Sequence, residues 1–219
     1  MHSKIAPSLR LLFGVVAVAA LLPLCTFSQD KAAAGVDYDQ LVQKSKSGDP
    51  NVDYGQMRMA YASSPSYESD VDMDAVKKIQ GKLQNKNYKG ALAAANALMK
   101  TQYISIDAHA CAFLAYQGMN DQANAEQQRR IAESLIRSIL DSGTGSSVES
   151  AYKVIWVREE YNVVSALGLV PQSQSLITKN GRDYDLLKVL DRKNNATVSL
   201  YFDATIPMSY MDRVLRNSH

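Results

Sequence analysis

The chain has 219 residues, with 24 Lys plus Arg against 22 Asp plus Glu. Lys4 and Arg10 are the only charges in the first 28 residues, so the remainder carries 22 of each sign and is formally neutral. That balance excludes the basic excess that drives binding to nucleic acid or to an anionic membrane, and the length allows one or two compact units.

The basic start is followed by LLFGVVAVAALLPL, Leu11 to Leu24, about the length of a secretory apolar segment and short for a membrane span. Thr26-Phe27-Ser28 before Gln29 reads as the cleavage site, with Ala32-Ala33-Ala34 before Gly35 as a second choice. The expectation is a signal peptide over 1–28, a periplasmic or secreted mature chain, and no stable membrane span after cleavage. An uncleaved anchor is the alternative. Cys25 follows Leu24 and Pro23 rather than the small residue a lipidated cysteine requires. Cleavage leaves Cys111 as the one cysteine, so no internal disulfide can form and packing alone must hold the fold.

Residues 29–36 read as a flexible lead. Val36-Asp-Tyr-Asp-Gln-Leu41 and Val52-Asp-Tyr-Gly-Gln-Met57 echo each other as helix starts capped by aspartate, with Ser47-Gly48-Asp49-Pro50 as a turn between them. In the second helix Tyr54, Met57 and Tyr61 share a face. Glu68, Asp70, Asp72 and Asp74 imitate the first half of a calcium loop. Ala75 stands where the sharp turn needs glycine and Gly81 where the loop needs its bidentate glutamate, so a helix start favoured by negative charge is the preferred reading.

From Val76 to Ile139 apolar residues recur at helical spacing, with breaks near Asn85-Lys-Asn87, Thr101-Gln-Tyr103 and Gly118-Met-Asn-Asp121. Ala91 and Ala123 open two similar helix entries 32 residues apart, close to the tetratricopeptide period. The expectation over 37–141 is a set of tetratricopeptide-like hairpins. Within it His109 and Cys111 are two residues apart and face different sides, which disfavours a catalytic pair. Asp107 likewise cannot orient His109 from the same face. His109 is expected to be hydrogen-bonded inside the helical layer.

SGTGSSVESAYKVIWVREEY, Ser142 to Tyr161, combines a glycine-spaced loop with paired glutamates. A phosphate loop needs a strand before it and a helix after it; here the order is reversed and no lysine is present. Gly143 is expected to end the preceding helix in the left-handed conformation. Tyr152–Val157 reads as a strand and Glu159–Leu167 as a helix stopped by Gly168. Adjacent Glu159 and Glu160 point about 100° apart and cannot flank one bond. Gln174–Thr178, Tyr184–Leu190 and Thr197–Phe202 read as an antiparallel meander with turns at Asn180-Gly181 and Lys193-Asn-Asn195. This gives a C-terminal unit over 142–208 and a tail over 209–219. Asn195-Ala-Thr197 matches a glycosylation acceptor by a motif short enough to arise by chance. Twelve tyrosines supply material for packing and for interfaces.

The segments GDPNVDYGQMRMAYASSPSY, SIDAHACAFLAY and SQSLI, with the run quoted above, resemble a family of exported bacterial proteins catalogued as domain of unknown function 4919. The resemblance covers about residues 36–208. Its sharpest part is carried by Ser142, Gly143, Gly145, Ser147, Ala151, Tyr152, Val154, Ile155, Val157, Glu159, Glu160 and Tyr161. Gln174 and Asp185 fall where the family's later motifs lie. Thr144 departs from the pattern, occupying a place where an acidic residue is expected. The resemblance implies an exported α+β protein, helical repeats ahead of a small sheet with one helix, and assigns no reaction. The expected role is a non-catalytic protein-binding or scaffolding module. The alternatives are a carboxylate-dependent glycan- or peptide-active hydrolase and a small-ligand-binding protein. Candidate binding residues are Glu159, Glu160, Tyr161, Gln174, Asp185, His109 and Tyr61. No catalytic residue, metal or cofactor is expected, and the expected partner is another envelope protein.

Overall fold

The computed structural model describes residues 37–217. The expected signal peptide and flexible lead lie outside the described residues. Six helices come first: α1 (Tyr38–Lys46), α2 (Tyr54–Ala62), α3 (Met73–Gln84), α4 (Tyr88–Thr101), α5 (Ile106–Gly118) and α6 (Gln122–Leu140). Each starts at a side chain that accepts a first-turn N–H: Asp37, Asp53, Asp72, Asn87, Ser105 and Asp121 in order. Such caps satisfy donors that a helix cannot satisfy itself. Asp72 thus takes the helix-start role, accepting the Ala75 N–H.

From α3 to α6 each helix packs on the next. Ala91, Ala95, Ala108, Ala112 and Ala115 are buried between them and let the backbones approach closely. Lys86 and Asn120 take positive φ in the short turns of these hairpins. Tyr61 sits at the centre of an aromatic cluster, with ring centroids 5.4 Å from Tyr38 and Trp156 and 5.8 Å from Tyr67.

The sheet has four strands, β1 (Tyr152–Lys153), β2 (Val170–Lys179), β3 (Arg182–Asp191) and β4 (Ala196–Asp203), in the order β1-β4-β3-β2. Strands β2, β3 and β4 form the expected antiparallel meander; β1 adds in parallel at one edge. Asn180 and Gly181 both take positive φ, as a two-residue hairpin turn demands. Helix α7 (Val157–Ala166) links β1 to β2, and α8 (Thr205–Asn217) follows β4. The fold class is α+β.

Three local expectations differ from the outcome. The strand expected over Tyr152–Val157 pairs with β4 only at Tyr152 and Lys153. Beyond them side chains take over the backbone: the Ile155 N–H donates to Glu159, and its carbonyl accepts from the Tyr67 hydroxyl. Of the tail expected over 209–219, residues 209–217 belong to α8; Asp203 accepts from the Thr205 N–H and hydroxyl at the start of that helix.

Gly143 is not left-handed; Gly145 is, at φ +66°. Gly143 is instead needed for close approach, since a Cβ there would stand 2.5 Å from the Ser150 carbonyl oxygen and 2.6 Å from that of Ala151. Both obstacles are backbone and cannot swing aside. Gly143→Ala is therefore expected to lower unfolding free energy by about 2 kcal/mol or more, measured by urea denaturation. A loss below about 0.5 kcal/mol would show that the loop gives way freely.

Candidate functional site

The glycine loop itself is closed as an anion site. The N–H groups of Thr144 and Gly145 both donate to the Ser150 carbonyl, at 2.9 and 2.8 Å. The donors a phosphate would use are already taken.

The chemistry gathers instead at the first turns of α7. Successive helical residues rotate by about 100°, so four neighbours face four directions. Arg158 reaches α5, where its Nε and Nη2 donate to Asp107 at 3.0 and 2.6 Å. Glu159 reaches α2, accepting from Arg58 Nε at 2.8 Å and Nη2 at 2.6 Å; both residues are almost fully buried. Glu160 faces Asp185 on β3. Tyr161 donates its hydroxyl to Gln174 Oε1 on β2 at 2.6 Å. This helix thus fastens the helical layer to the sheet, and Trp156, just before it, adds a bond from its indole N–H to the Glu68 carbonyl.

Glu160 and Asp185 differ from the other ties. They are 0% and 2% exposed. Glu160 Oε1 and Asp185 Oδ2 have no hydrogen-bond partner among the described residues. Two ionised carboxylates cannot satisfy each other, but one shared proton satisfies both. Burial, then the charge of Asp185 and the hydrogen bond with it, hold the Glu160 carboxyl far above the usual carboxylate range. Glu159 adds a smaller push in the same direction. Gln174 Nε2 lies 3.5 Å from Glu160 Oε2 and gives little relief. Glu160 is thus held neutral against Asp185, next to the exposed Tyr161–Gln174 bond.

A family model described as Domain of unknown function (DUF4919) matches residues 29–213. The chain belongs to this family. No curated protein and no solved structure matches it. Among the family-like positions of the Ser142–Tyr161 run, Ser142 accepts the Lys153 N–H, Gly145 packs on the Tyr152 ring, and Val154 and Ile155 are core residues. Most of the run therefore builds the joint between layers. Glu160 and Tyr161 are the two whose side chains lead toward the sheet's outer strand.

The structure unites Glu160, Tyr161, Gln174 and Asp185, and separates the other candidates from them. Glu159 is turned away and ion-paired. His109 is fully buried, with Nε2 2.6 Å from the Tyr103 carbonyl and Nδ1 2.7 Å from the Gln128 side-chain amide; burial holds its pKa below the ordinary value. Tyr61 is buried in the aromatic cluster and borders a concavity of about 660 Å³, together with Tyr38, Ser64, Glu68, Lys100 and Gln102. Sequence reasoning missed Arg58; its one local signal was a place inside a helix between Met57 and Met59.

Cys111 is buried, and burial pushes its thiol up to about 11. At pH 8 its thiolate fraction then falls about 100-fold below that of a free cysteine, before any steric protection. Alkylation by iodoacetamide is expected to be slower by at least that factor in the native protein and to recover in 6 M guanidinium. Fast native labelling would contradict the burial.

Proposed function

We propose that the mature chain is an exported, non-catalytic protein-binding module. It takes an extended segment of another envelope protein as a fifth strand on β2. One observation carries this reading. β2 is ten residues long, ends the sheet, and has no charged residue from Val170 to Thr178. Natural sheet edges are usually guarded by charge, brevity or a cover, and an open edge of this length can accept a strand through main-chain hydrogen bonds. Only Pro171 and the bulge between Pro171 and Ser173 interrupt it, at its start. Tyr161 and Gln174 stand beside the edge, where side chains add selectivity.

The hydrolase alternative draws on the facing acids. A glycosidase pair works across an open gap of about 5–9.5 Å, whereas Glu160 and Asp185 are buried and in hydrogen-bonding contact. The geometry favours the binding reading.

The test uses a photo-crosslinking residue at Ser173 on β2, with one at exposed Leu114 on α5 as control, in the native envelope. The expected result is one discrete partner from Ser173 only, followed by slowed amide exchange across β2 when that partner is added back. Equal capture from both positions, or unchanged exchange in β2, would sink the reading.

A further inference from the structure

This inference rests on the strand-addition reading of β2 and deepens it. The sheet register sets Phe202, Asp185 and Leu176 side by side on one rung, from β4 through β3 to β2. Side chains in a rung share a face. Phe202 and Asp185 are buried, so this is the core-facing side; the next rung, Leu200, Leu187 and Gln174, lies on the same side. Leu176 ends its rung at the open edge and is 56% exposed. An apolar side chain thus lies uncovered beside a nearly inaccessible acid pair in which Glu160 Oε1 and Asp185 Oδ2 receive no hydrogen bond from any described donor.

We infer that the strand added to β2 carries an arginine on the rung of Leu176, with its guanidinium donating to the Glu160–Asp185 carboxyl pair. The dimensions allow it. The added strand stands two strand spacings from β3, about 10 Å, a gap that an arginine stem and the Asp185 side chain bridge together. The stem covers Leu176, as long basic side chains cover apolar surface. The planar fork offers donors to two oxygens at once, which an ammonium does less well. Entry has to part the exposed Tyr161–Gln174 hydrogen bond, since Gln174 lies against Glu160.

The charge balance fixes a signature. The empty pair holds one proton between two carboxyls. The guanidinium replaces that proton, which leaves to solvent, so one proton is released per arginine bound. Binding then strengthens as pH rises, by at most tenfold per pH unit. The other groups facing the pair are few. Glu159 on α7 is neutralised by Arg58, Arg158 on the same helix is held by Asp107, and Tyr161 is a phenol whose ionisation burial raises. On β2 Gln174 is neutral.

The probe is the acetylated, amidated peptide Ser-Val-Thr-Arg-Thr-Val-Ser, titrated into the exported protein and followed by amide NMR shifts. Its companions are the same peptide with glutamine in place of arginine, and the arginine peptide N-methylated at alternate residues. The expected result is saturable shifts in β2, at least tenfold weaker binding of the glutamine peptide, loss with the methylated one, and at least tenfold tightening from pH 6 to pH 8. Glu160→Gln, an isostere of the protonated acid, is expected to abolish the pH dependence. The double variant Glu160→Gln/Asp185→Asn is expected to abolish the arginine preference while β2 binding persists. Equal binding of the arginine and glutamine peptides at β2 overturns the arginine site and leaves strand addition standing. An arginine preference that survives the double variant overturns it too. No shifts in β2 with any peptide overturn both.

Discussion

Arg58→Met is expected to lower the unfolding free energy by about 3–5 kcal/mol, the cost of leaving a buried charge without its partner. Arg58 meets Glu159 through two nitrogens and also donates from Nη2 to the Lys153 carbonyl at 3.0 Å. The pair is 2% exposed on each side chain, so water cannot replace the lost guanidinium. Glu159 retains the Ile155 N–H, which is too little for a buried carboxylate. Neutralising that carboxylate should recover part of the loss. In the Arg58→Met background, Glu159→Gln is expected to regain about 1–3 kcal/mol, although the same substitution alone is destabilising. Urea denaturation of the four proteins closes the cycle. A single-variant loss under 1 kcal/mol, or no recovery in the double, would mean that the pair does not fasten α7 to α2.

That cycle also tests why the run ending in Glu159-Glu160-Tyr161 has the form it has. A helix that must tie α5, α2, β3 and β2 needs four different polar side chains in succession, because the 100° rotation sends each to another neighbour. Arg158 and Glu159 use ordinary opposite-charge pairing. Glu160 does not, since its partner is another acid. A purely structural tie would be served as well by glutamine or by an apolar pair. The acid at Glu160 is the part of the joint that packing does not explain.

Local signals in the sequence were enough for much of the fold. The six capping side chains mark where α1 to α6 begin, and Asn180-Gly181 marks the β2–β3 turn, because both are set within a few residues. The strand expected over Tyr152–Val157 shows the limit. Its residues favour extended backbone, but Ile155 finds its partners in Tyr67 and Glu159 rather than in a neighbouring strand. The same holds for Gly143, whose requirement comes from the backbone of Ser150 and Ala151 folding back over it. For the site, grouping Glu160 with Tyr161 was visible from adjacency. The union with Gln174 and Asp185 entered through family resemblance, and the partner of Glu159 lies 101 residues away. No periodicity encodes a contact at that separation.

Glu160→Gln is expected to make the protein more stable at pH 8 and to leave it nearly unchanged at pH 4.5. Glu160 is raised in the folded state, from an ordinary 4.5 up to about 10, first by burial and then by Asp185. The folded protein therefore binds one more proton than the unfolded chain throughout that interval. Stability from this group is full below about pH 4.5 and falls as pH rises, by at most about 1.4 kcal/mol per unit. Relaxation and water entry will take part of that slope. The wild type is thus expected to lose about 2–4 kcal/mol relative to Glu160→Gln between pH 5 and pH 8, read as the difference between two urea-denaturation series. Taking the difference removes His109 and the other titrating groups common to both proteins. Parallel curves would mean that Glu160 is ionised in the fold and that its orphaned oxygen is satisfied some other way. A variant that is less stable at every pH would mean that the carboxyl's second oxygen makes a bond the amide cannot replace. Diverging curves would establish a neutral acid held at the joint between α7 and the sheet, one whose ionisation the fold resists as pH rises.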